Sequence, residues 1–171
     1  MKHLISMFLL VAACSRADWQ AELAEQLPLL GHRNWIVIAD SAYPLQTAPG
    51  IQTVYAGGNQ LEVVQKVLSM ISGCRHVQPV IYLDKELPYV AEKNAAGIGE
   101  YRTGLSRLLS GKNVQSIPHE EIIAKLDEAG KTFKIVIIKT DLTLPYTSVF
   151  MRLDCGYWNG TAETELRNAI Q

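Results

Sequence analysis

Cysteine is scarce in this chain, three residues in 171, and none forms a CxxC pair or sits in a Cys/His cluster. That excludes the common zinc patterns and a disulfide scaffold, and no metal is expected. Charge of one sign is also lacking: 16 Lys and Arg stand against 17 Asp and Glu, for a net charge of −1. A broad basic footprint for nucleic acid is therefore excluded, and no nucleic-acid partner is expected. Seven prolines and twelve glycines are too few for a collagen-like or low-complexity chain. No apolar run reaches the roughly 20 residues that a membrane helix needs. No nucleophile elbow or Ser-His-Asp order appears. Ala56-Gly57-Gly58-Asn59 lacks both the spacing of a dinucleotide fingerprint and the lysine of a P-loop. What is present is apolar bulk: hydrophobic residues make up 48% of the chain, enough for the core of one domain of ordinary size.

The first residues read as an address. Lys2 and His3 precede the apolar stretch from Leu4 to Ala13, which is too short to span a bilayer. A basic start, a short apolar run and small residues at its end have the pattern of a secretory signal over residues 1–13. Val11-Ala12-Ala13-Cys14 resembles a bacterial lipobox, which implies lipidation of Cys14 and cleavage before it. The expected location is the bacterial cell envelope, lipid-anchored or periplasmic. If the segment is not a signal, the alternative is an amphipathic first helix of a cytoplasmic protein. Cys74 and Cys155 then remain as small packed residues by default, with pairing open in an oxidising compartment.

Residues 18–171 read as a single domain of alternating helices and strands. Asp18 caps a helix running to about Leu30. The continuous apolar run Trp35–Ala39 has strand length and the character of a strand covered on both faces. Asn59 with Glu62 resembles a capping box for a helix that Gly73 closes. Further strands fall at about 52–55, 77–83, 114–117, 133–138 and 149–153. Helices fall at about 118–130 and 161–170, and a helix at 86–109 is broken by Pro88, Gly97, Gly99 and Gly104. Gly97 to Arg102 reads as flexible surface. This alternation predicts a three-layer α/β/α fold with a largely parallel central sheet.

In such sheets ligands sit beyond the carboxyl ends of the strands. Asp40 directly follows the first strand, and His119 follows the strand ending at Ile117. Tyr146 and Ser148 stand between the last two strands. His32 lies at the other end of the first strand. Eight residues of extended chain span about 26 Å, so His32 and Asp40 meet only if the chain bends or if neighbouring subunits complete the site.

Three segments together resemble one family. Gly31-His32-Arg33-Asn34 through Asp40-Ser41-Ala42-Tyr43-Pro44 is similar to the opening motif of the D-ribose pyranase and L-fucose mutarotase family. His119-Glu120-Glu121 is similar to its second histidine segment. Ile138-Lys139-Thr140 through Pro145-Tyr146-Thr147-Ser148 is similar to its closing motif. The likeness runs from about residue 19 to residue 155, with order and spacing kept.

The resemblance implies that His32 is the acid/base residue, that Asp40 and His119 bind sugar hydroxyls, and that Tyr146 and Ser148 line the pocket. It also implies a ring-shaped homo-oligomer, often a decamer, with sites completed between subunits. Interconverting sugar ring forms takes one proton from the anomeric hydroxyl and gives one to the ring oxygen. A histidine serves both directions without metal, redox step or cofactor. Four departures from the motifs stand out: Ser148 for Asn, Asp141 and Leu142 in place of Gly and Glu, and Lys139 for Arg. The expected function is a cofactor-free monosaccharide mutarotase or pyranase. The alternative is a sugar- or polyol-binding lipoprotein that uses the same pocket without turnover.

Overall fold

The computed structural model describes residues 18–170, so the signal-like segment and Cys14 lie outside it. The first helix, α1 (Trp19–Gln26), opens where the Asp18 carboxylate accepts the backbone N–H of Gln20 at 3.0 Å. A short 3-10 turn, Leu27–Leu29, ends it. Strands β1 (Trp35–Ala39) and β2 (Ile51–Tyr55) follow, then α2 (Gln60–Ser72). Asn59 caps α2 by accepting from the backbone of Leu61 and Glu62 at 2.9 and 3.3 Å. β3 (Val77–Asp84), α3 (Ile98–Leu108), β4 (Val114–Ile117) and α4 (His119–Gly130) come next. β5 (Ile135–Lys139), β6 (Val149–Cys155) and α5 (Gly160–Ala169) complete the described chain.

The six strands form one sheet in the order β2-β5-β1-β6-β3-β4. Five run parallel, and β6 runs against its neighbours β1 and β3. The connection from β5 to β6, residues 140–148, is shorter than the dozen or more residues that a parallel crossover needs, so β6 returns antiparallel. This brings the start of β6 to the same edge of the sheet as the carboxyl ends of the other five strands.

Strand β1 is central, buried along its whole length, and its residues alternate between two cores. Ile36 and Ile38 join α1, α2 and α3 on one face, with Val64, Ile71, Ile98 and Leu105 among the buried partners. Trp35, Val37 and Ala39 join α4 on the other face, with Ile122, Leu126 and Phe150. Each fully buried Leu, Ile or Phe contributes about 1.5–3 kcal/mol. The three-layer order and mostly parallel sheet are as the alternation of elements predicts.

Two features differ from the sequence reading. Residues 97–102 are not flexible surface. Gly97, at φ 90°, caps the start of α3, and the Glu92 carboxylate accepts the backbone N–H of both Gly97 and Gly99. Gly104 does not break α3 either: a Cβ there would meet Leu61 Cδ1 at 2.5 Å, so the glycine allows α3 to lie close against α2. Cys74 and Cys155 are free thiols, each half-buried.

Candidate active site

The carboxyl edge of the sheet collects four of the five sequence-predicted site residues. Asp40 leaves β1, and its carboxylate has two partners. Oδ1 accepts the backbone N–H of Ala42 at 2.9 Å, and Oδ2 accepts the Ser148 hydroxyl at 3.2 Å. Ser148 itself is buried just before β6. Lys139, at the end of β5, donates from Nζ to the Tyr43 carbonyl at 2.6 Å and so ties down the loop that follows Asp40.

His119 begins α4 and is held twice, by the end of β3 and by the turn that follows it. Its backbone N–H donates to both oxygens of the Glu86 carboxylate at 3.1 Å. Its ring Nδ1 lies 3.0 Å from Oδ1 of Asp84. The Tyr146 ring meets the imidazole edge-on, with centroids 5.6 Å apart. Tyr146 is 41% exposed and sits at φ 57°, a conformation that non-glycine residues rarely adopt. Strain of this kind tends to gather where surrounding structure fixes a functional side chain.

Sequence reasoning missed Asp84. Its side chain is inaccessible, and its Oδ2 has no hydrogen-bond partner among the described residues. Burial pushes the carboxyl up from the ordinary carboxylate range; the hydrogen bond and charge of His119 pull against this, while Glu86 and Asp40 push the same way as burial. The signal that could have found it was available. Asp84 ends an apolar strand run just as Asp40 does.

Behind this cluster lies a buried polar network that fixes the 140–148 loop. Gln60 donates from Nε2 to the Tyr101 hydroxyl at 2.9 Å and to the Thr147 carbonyl at 2.6 Å. Tyr101 donates to the same carbonyl at 2.6 Å, and Thr140 Oγ1 lies 2.8 Å from Gln60 Oε1. Burial raises the Tyr101 phenol, opposed by its bond to Gln60, so the phenol stays a neutral donor. Asp141 accepts from the Gly58 backbone at 2.7 Å and also bonds the Tyr55 hydroxyl. A satisfied network of this kind rigidifies what it holds, here the loop carrying Tyr146 and Ser148.

His32 is elsewhere. It precedes β1 at the amino edge of the sheet, where its exposed ring has no hydrogen-bond partner among the described residues. It borders a cavity of about 420 Å³ shared with Arg152, Asp154, Trp158 and Glu163. Arg33 beside it holds φ 74°. Within one copy of the chain, the length of β1 separates His32 from Asp40.

The carboxyl-edge groups can bind a neutral polyol by directional hydrogen bonds and can move a proton at the exposed side of His119. No curated protein matches this sequence. Among solved structures, the fold is similar to Bacillus subtilis RbsD complexed with D-ribose, at 18% identity and a TM-score of 0.55, covering 88% of this chain and 98% of that one. It is also similar to the fucose mutarotase of Streptococcus pneumoniae in complex with L-fucose, at 18% identity and TM-score 0.51 over 78% and 91% of the two chains. FucU from Bifidobacterium longum gives 17% identity and TM-score 0.52 over 78% and 94%. At such identities the likeness is one of fold. The sequence itself matches a family model over residues 19–156, most of the chain, and on that match the protein belongs to the RbsD / FucU transport protein family.

Proposed function

We propose that the protein is a cofactor-free mutarotase or pyranase that interconverts ring forms or anomers of a free monosaccharide. The observation that carries this reading is the placement of Asp40, His119, Tyr146 and Ser148 at one sheet edge with His32 at the other. In a ring-shaped homo-oligomer, such as a decamer, His32 of one copy enters the carboxyl-edge cluster of the next, and neither copy alone holds a whole site. The D-ribose and L-fucose bound by two structural relatives support a free five- or six-carbon sugar as substrate.

The chemistry balances without a cofactor. A base takes the anomeric O–H proton, the C1–O bond to the ring breaks as the carbonyl forms, and an acid protonates the departing ring oxygen. Closure reverses these steps on either face of the carbonyl. His32 is the acid/base residue, Asp40 and His119 orient hydroxyls, and Tyr146 with Ser148 lines the pocket. Positioned acid–base groups are worth about 10²–10⁴-fold in rate.

Two observations favour non-catalytic sugar binding instead. Lys139 is committed to a backbone carbonyl, and Ser148 offers a single hydroxyl where an amide would reach further. Exchange NMR of the purified protein with ribose, fucose, galactose and glucose separates the two readings. Accelerated ring-form or anomer exchange for one sugar, lost in His32→Ala, is the expected result. Background exchange for all four, with one of them binding, would replace the enzyme by a binding protein.

The lipobox at Val11–Cys14 supports a lipid anchor on the cell envelope. Intact-mass measurement of protein from membrane fractions tests it, with a diacylglyceryl increment on a chain beginning at Cys14 as the expected species.

A further inference from the structure

The enclosed Asp84 carboxylate pairs with the part-exposed imidazole of His119, and Asp84 is not among the assigned site residues. Three observations bear on its role. The contact uses Nδ1, at 3.0 Å, so a carboxylate at Asp84 draws the imidazole proton to that nitrogen. The His119 side chain is 32% accessible while that of Asp84 is fully enclosed, so the exposed part of the ring is available to a ligand. The second Asp84 oxygen is buried without a partner among the described residues, an arrangement that costs stability and that packing alone would not select.

The end of β3 and the turn after it grip both ends of the residue. Glu86 takes the His119 backbone N–H and Asp84 takes the ring, while Tyr146 closes on the ring edge. The imidazole is thereby fixed in position and in orientation.

We propose that Asp84 is a positioning residue that holds neutral His119 with its proton on Nδ1, leaving Nε2 as a proton acceptor facing the sugar site. The inference rests on the mutarotase reading and deepens it, because it makes His119 a second acid/base group. Nε2 of His119 takes the anomeric hydroxyl proton. The C1–O bond breaks, and the protonated His32 of the neighbouring copy delivers a proton to the ring oxygen. Closure returns both protons, so the pair is restored after each turnover.

The test reads the tautomer directly. Protein labelled with ¹⁵N-histidine is studied by long-range ¹H–¹⁵N correlation at about pH 8.5, where an ordinary imidazole is neutral. His119→Gln assigns the signal. The expected pattern for the wild type is Nδ1 protonated and Nε2 bare. In Asp84→Leu, which removes the acceptor, the proton moves to Nε2, the form that free imidazole side chains prefer. Asp84→Ala is the second variant should the leucine chain not fold, and it likewise leaves Nδ1 without its carboxylate acceptor.

Sugar exchange in the same variants falls on the order of 10²-fold in kcat with little change in KM. A wild-type His119 already protonated on Nε2, or a tautomer indifferent to residue 84, overturns the proposal. So does full turnover in Asp84→Leu. An Asp84-dependent Nδ1–H form in a protein that turns over no sugar keeps the positioning role and refutes the mutarotase reading instead.

Discussion

The two ends of strand β1 differ in how completely they are built. At the carboxyl end Asp40, Asp84 and His119 each have a defined partner, and a buried network behind them holds the loop that carries Tyr146 and Ser148. At the amino end His32 projects from a turn with its ring unengaged by the described residues, next to an open cavity. The two non-glycine residues at positive φ among the described residues fall one at each end, Tyr146 and Arg33. One end is therefore preorganised to receive a ligand, and the other presents the exposed His32 ring to whatever approaches it. The contrast fits two halves of one site contributed by different copies of the chain.

The largest effect should come from removing a proton-handling group at either end. His32→Ala and His119→Ala are each expected to lower sugar exchange by about 10²–10⁴-fold, read by exchange NMR. Equal losses would tie the two ends to one reaction. A loss at the carboxyl end alone would detach His32 from it.

Next is a stability effect of opposite sign. Asp84→Leu removes a buried, half-satisfied carboxylate and is expected to raise stability at neutral pH by ~1–3 kcal/mol, read by denaturant unfolding. The Asp84 pKa is raised above its ordinary 3.8, so the folded wild type binds the proton more tightly than the unfolded chain does. Wild-type stability thus rises as pH falls through the folded pKa toward 3.8, and the advantage of the leucine variant shrinks over that window. An advantage unchanged from neutral to acid pH would mean that Asp84 carries no charge penalty.

A smaller effect belongs to Ser148. Its hydroxyl holds one Asp40 oxygen, and Ser148→Ala should weaken sugar binding about five-fold, the equivalent of roughly 1 kcal/mol. The smallest effect is expected at the chain's end. Helix α5 buries no residue and lies beyond the family match, so deleting residues 158–171 should change stability by less than about 1 kcal/mol. Sugar exchange should survive it. A large loss of exchange would make Trp158 and Glu163 part of the His32 half-site.

Much of this organisation is legible in the sequence, for physical reasons that vary by element. The run Trp35–Ala39 has the length and the continuous apolar character of a strand covered on both faces, and Asp18 and Asn59 announce the helices they cap. The strand ends then point to Asp40, His119, Tyr146 and Ser148. Asp84 stands at a strand end too, but only its pairing with His119, a tertiary contact across 35 positions, sets it apart from an ordinary turn residue. The start of α3 escaped because glycines at 97 and 99 read as flexible, whereas the Glu92 carboxylate holds both. The direction of β6 is not encoded in its apolar pattern, only in the shortness of the loop before it.

The claim that the two ends of β1 are halves of one site is tested most directly by complementation. His32→Ala and His119→Ala chains, each inactive, are co-expressed with different tags, and the mixed oligomers are isolated. Random mixing leaves about a quarter of interfaces with both histidines intact, so about a quarter of wild-type sugar exchange should return. Mixed oligomers as inactive as either parent would show that no site is shared between copies.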